Sequence, residues 1–189
     1  MTRVGVLAVQ GAFIEHERAF REAGADVFEI RQLRDLDRPM DALVLPGGES
    51  TVQGKLLHDL GMFAPLKAKI NGGLPVFATC AGLILLAEKL ENDPTVWFGA
   101  LPVTVRRNAY GRQLGSFAAV GAVGEDQNVP MTFIRAPSIV SVSKGVEVLS
   151  SIDGEATGVR YNNITAFAWH PELTTDLRTF QRFLSGIKS

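Results

Sequence analysis

The sequence predicts an α/β fold with three layers, in which helices cover both faces of a mostly parallel, flavodoxin-like central sheet. In the first half of the chain, short apolar runs alternate with helical patterns, at a spacing typical of crossovers between parallel strands. These runs are apolar throughout, as are strands that are buried on both faces of a sheet. In the second half the pattern changes to short β-type runs, so we expect additional antiparallel strands that continue or flank the sheet.

The individual elements follow from apolar periodicity and from the residues that end each helix. Glycine or asparagine follows the first three helical patterns, as is common after a helix C-terminus. The predicted strands of the first half are 4–9, 27–30, 42–45 and 75–78, and the predicted helices are 14–23, 52–60, 63–70 and 81–90. The later strand patterns are 103–105, 117–120, 131–134, 139–142, 146–149, 157–160 and 164–168, and a last helix is expected over 176–184.

Length and composition indicate one folded domain, 1–189, since the chain has 189 residues of which 46% are hydrophobic. The 19 Lys and Arg residues nearly balance the 20 Asp and Glu residues, which leaves a formal net charge of −1. A nucleic-acid-binding protein normally carries a basic face, so we expect small molecules or proteins as partners and no nucleic acid. No apolar stretch approaches the roughly 20 residues that span a bilayer, which predicts a cytoplasmic protein with no membrane partner.

Cys80 is the single cysteine of the sequence. It cannot form an internal disulfide or a multi-thiolate zinc site, which favours a reducing compartment. It lies where a predicted strand meets a predicted helix, between Thr79 and Ala81. On such a turn, the helix N-terminus stabilises a thiolate, and its free N–H groups can face a developing oxyanion. The alternative is a buried core cysteine, and the local pattern leaves both interpretations open.

His170 and Glu172 follow the last predicted strand and are separated by Pro171. Side chains alternate in an extended segment, which predicts that His170 and Glu172 project to the same face. A cysteine nucleophile needs a histidine as its base, and that histidine needs an acceptor on its second nitrogen. The C-terminal ends of parallel strands meet at one edge, where Cys80 and His170 can come together. Without Cys80, a histidine packed on Trp169 beside a solvated Glu172 is the favoured interpretation.

A glycine turn, Pro-Gly-Gly-Glu-Ser-Thr over 46–51, lies between another predicted strand and helix. Adjacent glycines let backbone N–H groups face an anion, as an oxyanion hole requires. The alternative is an ordinary N-cap at Ser50 or Thr51. No Gly-Lys-Ser/Thr follows at the required spacing, so the turn is not a phosphate-binding P-loop.

Two polar clusters and two isolated histidines complete the set of candidates. The clusters 107–113 and 134–137 contain arginines that suit carboxylate binding, although solvated loop arginines are the preferred interpretation of those residues alone. His16 and His58 lack the paired histidine of a metalloprotease helix, so we expect both at the surface or at a helix end. No metal site is predicted.

The Cys80 elbow, the Pro-Gly-Gly turn and the late His-Pro-Glu resemble those of the class I, or triad, glutamine amidotransferases. Further segments are similar to one branch of that family, the glutaminase subunits of pyridoxal 5'-phosphate synthase. These segments are 5–12 with 15–16, 46–51, 79–83, 107–113 with 116–117, 133–137 and 170–173. The most specific are Arg-Asn-Ala-Tyr-Gly-Arg-Gln over 107–113 and Ile-Arg-Ala-Pro over 134–137.

The resemblance implies that Cys80 attacks the side-chain amide of L-glutamine, with His170 as base and then acid and Glu172 as its orienter. By the same resemblance, the glutamine pocket is formed by Gly48, Glu49, Ser50, Arg107, Ile134 and Arg135. Backbone N–H groups of Gly48 and Ala81 are the expected oxyanion donors. The implied partner is a synthase barrel subunit, joined in a hetero-oligomer, that receives the ammonia. Pyridoxal phosphate is its product, and no cofactor is expected in this chain.

One departure from the family pattern concerns Ala78, which stands where the family usually has glycine two residues before the nucleophile. A positive φ at this position would cost alanine about 1 kcal/mol or more.

Two other functions remain as alternatives. One is a glutaminase for another synthase, such as imidazole glycerol phosphate synthase, which the clusters 107–113 and 134–137 disfavour. The other is a non-amidotransferase with the same elbow, either a peptidase-like or chaperone-like relative or a silent binding module.

Overall fold

The computed structural model describes residues 1–109 and 115–187, and most of their strands form one large sheet. The strands in chain order are β1 (Arg3–Leu7), β2 (Asp26–Ile30), β3 (Ala42–Leu45), β4 (Val76–Thr79), β5 (Ala87–Leu90), β6 (Leu101–Arg106), β7 (Ser116–Val123), β8 (Asp126–Ile134), β9 (Ser138–Val142), β10 (Glu147–Ile152), β11 (Glu155–Tyr161) and β12 (Ile164–Phe167). The α-helices are α1 (Phe13–Glu22), α2 (Ser50–Asp59), α3 (Phe63–Asn71), α4 (Ala81–Leu86) and α5 (Arg178–Ser185). Short 3₁₀ turns occupy Leu33–Asp37 and Pro171–Leu173.

The large sheet has the order β2-β1-β3-β4-β12-β11-β10 within the described residues. Neighbouring strands from β2 to β12 run parallel, and β11 and β10 extend the sheet as an antiparallel hairpin. Strands β5, β6 and β9 form a separate small sheet, and β7 and β8 form a two-stranded ribbon. The predicted α/β architecture, mostly parallel with antiparallel strands in the second half, is confirmed.

Alternating side chains of the parallel strands divide the apolar core between the two faces of the large sheet. In β4, Val76 and Ala78 pack into a core shared with α2, α3 and α4. Phe77 faces the opposite core, which contains Phe20 of α1 and Phe180 of α5. The period of two also directs Thr79 to the face of α1, because it lies two residues beyond Phe77. This direction matters for the site, since Thr79 immediately precedes Cys80.

The helix predicted over 81–90 is too long. Helix α4 ends at Leu86, and Ala87–Leu90 instead forms β5, which pairs with β6 in parallel. The Phe98 N–H donates to the Leu85 carbonyl at 2.9 Å, so this acceptor is no longer available to a continuing helix. A long-range pairing therefore overrides a local helical pattern.

No helix within residues 1–109 and 115–187 combines the length and the apolar character that crossing a bilayer requires.

Gly82 allows α4 to pack directly against the end of β3. A Cβ atom at this position would lie 2.2 Å from the Leu45 carbonyl oxygen, a backbone atom that cannot move aside easily. We expect Gly82→Ala to lower the free energy of unfolding by about 1–3 kcal/mol, the usual cost of overpacking. The measurement is the urea midpoint at constant m-value.

Gly186→Ala is the matched control for this prediction. Gly186 is exposed, and a Cβ atom there would make an ordinary contact 3.4 Å from the Phe183 carbonyl oxygen. Its unfolding free energy should therefore change by less than about 0.5 kcal/mol. Equal stability of the two variants would contradict the close packing of α4 on β3.

Candidate active site

A cleft of about 420 Å³ opens where the C-terminal ends of β1, β3, β4 and β12 meet the loops that follow them. Ligand sites of open parallel sheets form at this edge. The side chains and backbone that line the cleft belong to Gln10, Ala12, Gly47, Gly48, Glu49, Ser50, Cys80, Ile84, Arg107, Asn108, Ile134, Arg135, His170 and Leu173. The cleft therefore brings together most of the residues that the sequence predicts as catalytic or glutamine-binding.

Cys80 occupies a strained backbone position between β4 and α4. Its φ of 48° and ψ of −101° lie outside the usual regions for an L-residue, and its N–H donates to the Phe167 carbonyl at 2.9 Å. The side chain of Cys80 lines the cleft although the residue is only 7% exposed. The positive φ falls on Cys80 and not on Ala78, which is a regular strand residue in β4. Alanine at position 78 therefore carries no left-handed strain.

His170 and Glu172 contact each other across a tight turn. The predicted extended segment is wrong here, because Pro171–Leu173 forms a single 3₁₀ turn that begins at His170. Across that turn, His170 Nδ1 and Glu172 Oε1 are 2.6 Å apart, and the His170 N–H donates to the Thr132 carbonyl at 2.8 Å. Nδ1 is thus occupied by the carboxylate, and Cys80 and His170 lie next to each other beside Gly47 at the cleft. Cys80, His170 and Glu172 thus form a line of neighbouring residues from the cleft into the protein.

Electrostatics favour the charged forms of His170 and Glu172. Burial has the largest single influence on His170 and opposes its charge, but electrostatic interactions with Cys80 and Glu172 outweigh it and raise the pKa of His170 to about 10. For Glu172, burial again has the largest influence and favours the neutral acid. Electrostatic interactions with His16 and His170 outweigh it and lower the pKa of Glu172 to about 2. At neutral pH the site therefore favours an imidazolium beside a carboxylate.

The glycine turn after β3 lies directly against this line of residues. A Cβ atom at Gly47 would lie 2.4 Å from His170 Cε1 and 3.5 Å from Cys80 Cβ, so only glycine fits without displacing the imidazole. The Gly47 N–H donates to Thr79 Oγ1 at 3.1 Å, and the Gly47 carbonyl accepts from the Ala12 N–H at 3.0 Å. The turn is thereby fixed to both β4 and the loop after β1.

Gly48 is the residue of this turn whose N–H is available to a ligand. The neighbouring Glu49 N–H donates to Gln10 Oε1 at 2.9 Å, whereas within the described part of the chain the Gly48 N–H has no acceptor. Ala81 is fully buried at the first position of α4, where its N–H has no intrahelical partner. The alternative N-cap at Ser50 or Thr51 is not found, because Glu49 occupies the cap position without a side-chain hydrogen bond.

The two predicted arginines approach the cleft from different elements. Arg107 follows β6 and donates from Nη2 to Thr51 Oγ1 at 3.1 Å, and its Nη1 lies 3.6 Å from Asp93 Oδ2. Arg135 follows β8 beside Ile134 and has a positive φ of 44°. Among the residues that the structure describes, Arg135 makes no ion pair. Positions 110–113 of the cluster 107–113 lie outside the described residues.

His16 is the site residue that sequence reasoning placed wrongly. It is fully buried, not at the surface, and its Nε2 lies 3.0 Å from Thr79 Oγ1 and 3.4 Å from Glu172 Oε1. The helical period could have found it, because positions 13, 16 and 20 share one face of α1 with two phenylalanines. His58, by contrast, is exposed in the last turn of α2, as expected.

Metal ligation is not a feature of this constellation. Within residues 1–109 and 115–187, no group of three or more His, Cys, Asp or Glu side chains is arranged to hold a metal ion. The imidazoles and the carboxylate are instead bonded to one another and to Thr79.

Comparison with known proteins places this chain in a family. The model of the SNO glutamine amidotransferase family matches residues 6–189. The pyridoxal 5'-phosphate synthase subunit PdxT of Desulfitobacterium hafniense (strain Y51) is 57% identical over 185 residues, which cover 98% of this chain and 93% of the relative. The subunit of the same name from Bifidobacterium longum (strain NCC 2705) is 53% identical over 187 residues, which cover 96% of this chain and 98% of the relative.

The tertiary structure agrees with the sequence comparison. A crystal structure described as a glutamine amidotransferase superimposes with a TM-score of 0.90 at 38% sequence identity, covering 96% of this chain and 97% of that one. A structure of PurLQS from Thermotoga maritima shares the fold at a TM-score of 0.69 and 16% identity. Because the family model spans nearly the whole sequence and close relatives cover it end to end, the chain belongs to the SNO glutamine amidotransferase family.

Proposed function

We propose that this chain, acting as a single domain over 1–189, is the glutaminase subunit of a cytoplasmic pyridoxal 5'-phosphate synthase. It hydrolyses L-glutamine to L-glutamate and ammonia, and passes the ammonia to a synthase barrel subunit in a hetero-oligomer. The observation that carries the proposal is the hydrogen-bonded pair of His170 and Glu172 beside Cys80 at the cleft. The PdxT relatives at 57% and 53% identity support this partner over imidazole glycerol phosphate synthase.

The first half of the reaction is acylation of Cys80. The Cys80 thiolate attacks the side-chain amide carbon of glutamine, and the carbonyl oxygen becomes an oxyanion. His170 then gives its proton to the amide nitrogen, the C–N bond breaks, and ammonia leaves a γ-glutamyl thioester. An imidazolium beside Cys80 suits this step because the proton needed by the leaving group is already in place.

The second half is hydrolysis of the thioester. Neutral His170 removes a proton from water, the resulting hydroxide attacks the thioester carbon, and the C–S bond breaks to release the γ-carboxylic acid, which loses its proton to solvent to give glutamate. The thiolate and the imidazolium are then restored. Through the 2.6 Å contact with Nδ1, Glu172 keeps the other ring nitrogen directed at the reacting atoms throughout.

The oxyanion is best received by backbone N–H groups of Gly48 and Ala81. Gly48 lies at the cleft with an uncommitted N–H, as judged over the described residues, and Ala81 directly follows the nucleophile. Preorganised backbone donors of this kind are typically worth several kcal/mol in the transition state.

The glutamine itself is held by residues from three separate loops. Gly48, Glu49 and Ser50 line one side of the cleft, where Glu49 presents a carboxylate for the α-ammonium group. Arg107, Ile134 and Arg135 line it as well, and Arg135 provides a cation for the α-carboxylate. The pocket is thus matched to a zwitterionic amino acid.

The direct test of the proposal is ammonia release from glutamine with and without the synthase subunit. We expect the isolated chain to be weakly active and the synthase to stimulate it. Replacing Cys80 by alanine removes the nucleophile and should abolish ammonia release in both conditions. Equal rates with and without the synthase would contradict activation by docking, and retained activity of Cys80→Ala would overturn the mechanism.

Labelling with diazo-oxo-norleucine, a glutamine-like electrophile, separates the proposal from a silent binding module. We expect one adduct, located on Cys80 by mass spectrometry, and none in Cys80→Ala. A protein that yields neither the adduct nor ammonia in any mixture is not an amidotransferase.

Glu172→Gln tests the role of the buried carboxylate through pH dependence. Without the anion, the imidazolium is less stable, so the pKa of His170 falls and the alkaline limb of kcat/KM moves to lower pH. We also expect kcat to fall by on the order of 100-fold or more. Glu147→Gln is the control, because that carboxylate pairs with Arg160 on the surface and should leave the profile unchanged. An unshifted alkaline limb in Glu172→Gln would contradict the assigned role.

Arg135→Gln tests the recognition of the α-carboxylate. Loss of a charge-assisted contact that is made equally in the ground and transition states should raise KM by about tenfold or more and leave kcat almost unchanged. Arg160→Gln, on the hairpin of β10 and β11, serves as the control and should leave KM unchanged. An unchanged KM in Arg135→Gln would remove this residue from the pocket.

A further inference from the structure

His16 has an unusual environment for a residue that does not line the cleft. It is fully buried on α1, and its ring packs edge-on against Phe77 and Phe180 at centroid distances of 6.0 and 6.3 Å. Its only polar neighbours among the described residues are Thr79 and Glu172, and both approach the same ring atom, Nε2. An apolar side chain would fill such a pocket at less cost, because burying a polar ring is unfavourable unless it is hydrogen bonded.

The proton of the neutral His16 ring belongs on Nε2. A proton on Nδ1 would have no acceptor, since within the described chain Nδ1 has no hydrogen-bond partner. The lone pair of Nε2 would also face the Glu172 carboxylate at 3.4 Å, which is electrostatically unfavourable. With the proton on Nε2, the ring donates to Thr79 Oγ1, the polarised N–H also lies beside Glu172 Oε1, and only the Nδ1 lone pair is left without a partner.

Glu172 depends on such donors because its second oxygen has none. The residue is 1% exposed, and Oε2 lacks a hydrogen-bond partner among the described residues. Both polar contacts therefore converge on Oε1, from His170 at 2.6 Å and from His16 at 3.4 Å. A buried carboxylate with so few donors tends to take up a proton, which would end its support of the imidazolium.

We propose that His16 is a positioning residue of the glutaminase reaction, which holds Glu172 Oε1 against His170 and keeps the carboxylate ionised by placing the polarised Nε2–H beside it. The inference rests on the proposed function and adds a fourth member to its line of residues. The contact with Thr79 reinforces it, because Thr79 directly precedes Cys80 and also accepts from the Gly47 N–H at 3.1 Å. His16 thus connects the carboxylate to both the nucleophile strand and the glycine turn.

The surrounding charges agree with this assignment. The titratable groups that act on Glu172 are His16 from α1 and His170 from its own segment, and both lower the pKa of Glu172. Strand β4 contributes the uncharged Thr79, and α5 contributes Phe180 against the His16 ring. Strand β8 contributes the Thr132 carbonyl, which accepts from the His170 N–H. Loss of His16 therefore removes one of two groups that stabilise the carboxylate.

Three substitutions of His16 distinguish the role of its N–H group from the role of its ring in filling the pocket. His16→Gln places an amide N–H at about the reach of Nε2, His16→Asn has a shorter amide that ends near Nδ1, and His16→Met fills the pocket without a donor. We expect Gln to restore most of kcat. Asn and Met should lose about tenfold or more in kcat, the range typical for loss of an orienting partner, with KM changed less than about twofold.

The pH profile provides a readout that packing alone would not move. Cys80 is the only cysteine, so its alkylation by iodoacetamide reports the thiolate directly and needs no glutamine turnover. In His16→Met and His16→Asn, the weaker carboxylate supports the imidazolium beside Cys80 less. We expect the pH profile of alkylation to move in these variants, and to keep the wild-type position in His16→Gln.

The outcomes distinguish this inference from the proposed function. His58→Gln and His58→Met, at the exposed end of α2, are the matched controls and should leave kcat and the alkylation profile unchanged. Wild-type kinetics and pH profiles in His16→Asn and His16→Met would overturn the positioning role, as would His16→Gln being as impaired as His16→Met. If His16→Met fails to fold, the comparison of Gln with Asn decides. A wild-type protein that releases no ammonia with the synthase would instead refute the proposed function, while the alkylation profile would still test His16.

Discussion

The buried Glu172 carboxylate is the interaction on which the organisation of the site depends. It is 1% exposed, it bonds His170 Nδ1 at 2.6 Å, and it meets His16 Nε2 at 3.4 Å. Burial alone would neutralise it, so its charge persists because two imidazoles from different elements face one oxygen. That charge in turn supports an imidazolium at His170, beside the only cysteine of the chain.

The fold supplies these contacts through strand geometry. Parallel strands β3, β4 and β12 end at one edge, which brings the glycine turn, Cys80 and the turn that holds His170 together. The two-residue period of β4 sends Thr79 to the face covered by α1, where it meets His16. Gly47 permits the closest approach, since any side chain there would collide with the imidazole. The residues that the backbone geometry constrains at this edge of the sheet are therefore also the residues that hold the proposed catalytic groups in place.

Local sequence patterns predicted the regular elements better than the long-range contacts. The strand over 42–45 was predicted to the residue, because its apolar run is bounded on both sides by polar or turn-forming residues. The helix over 81–90 was overextended because its last four residues pair with β6, a contact that lies outside any local window. His16 was missed for a related reason: its partner Thr79 is 63 positions away, and the acidic neighbours on either side suggest a solvated face.

The protonation state of His170 is the most direct test of its ion pair with Glu172. ¹⁵N NMR of the labelled imidazole, followed from pH 6 to pH 11, reports whether both ring nitrogens carry a proton. We expect a fully protonated ring at pH 7 that loses its charge only near pH 10, the value to which the pKa of His170 is raised. A neutral imidazole at pH 7 would contradict the ion pair and, with it, the role assigned to the buried carboxylate.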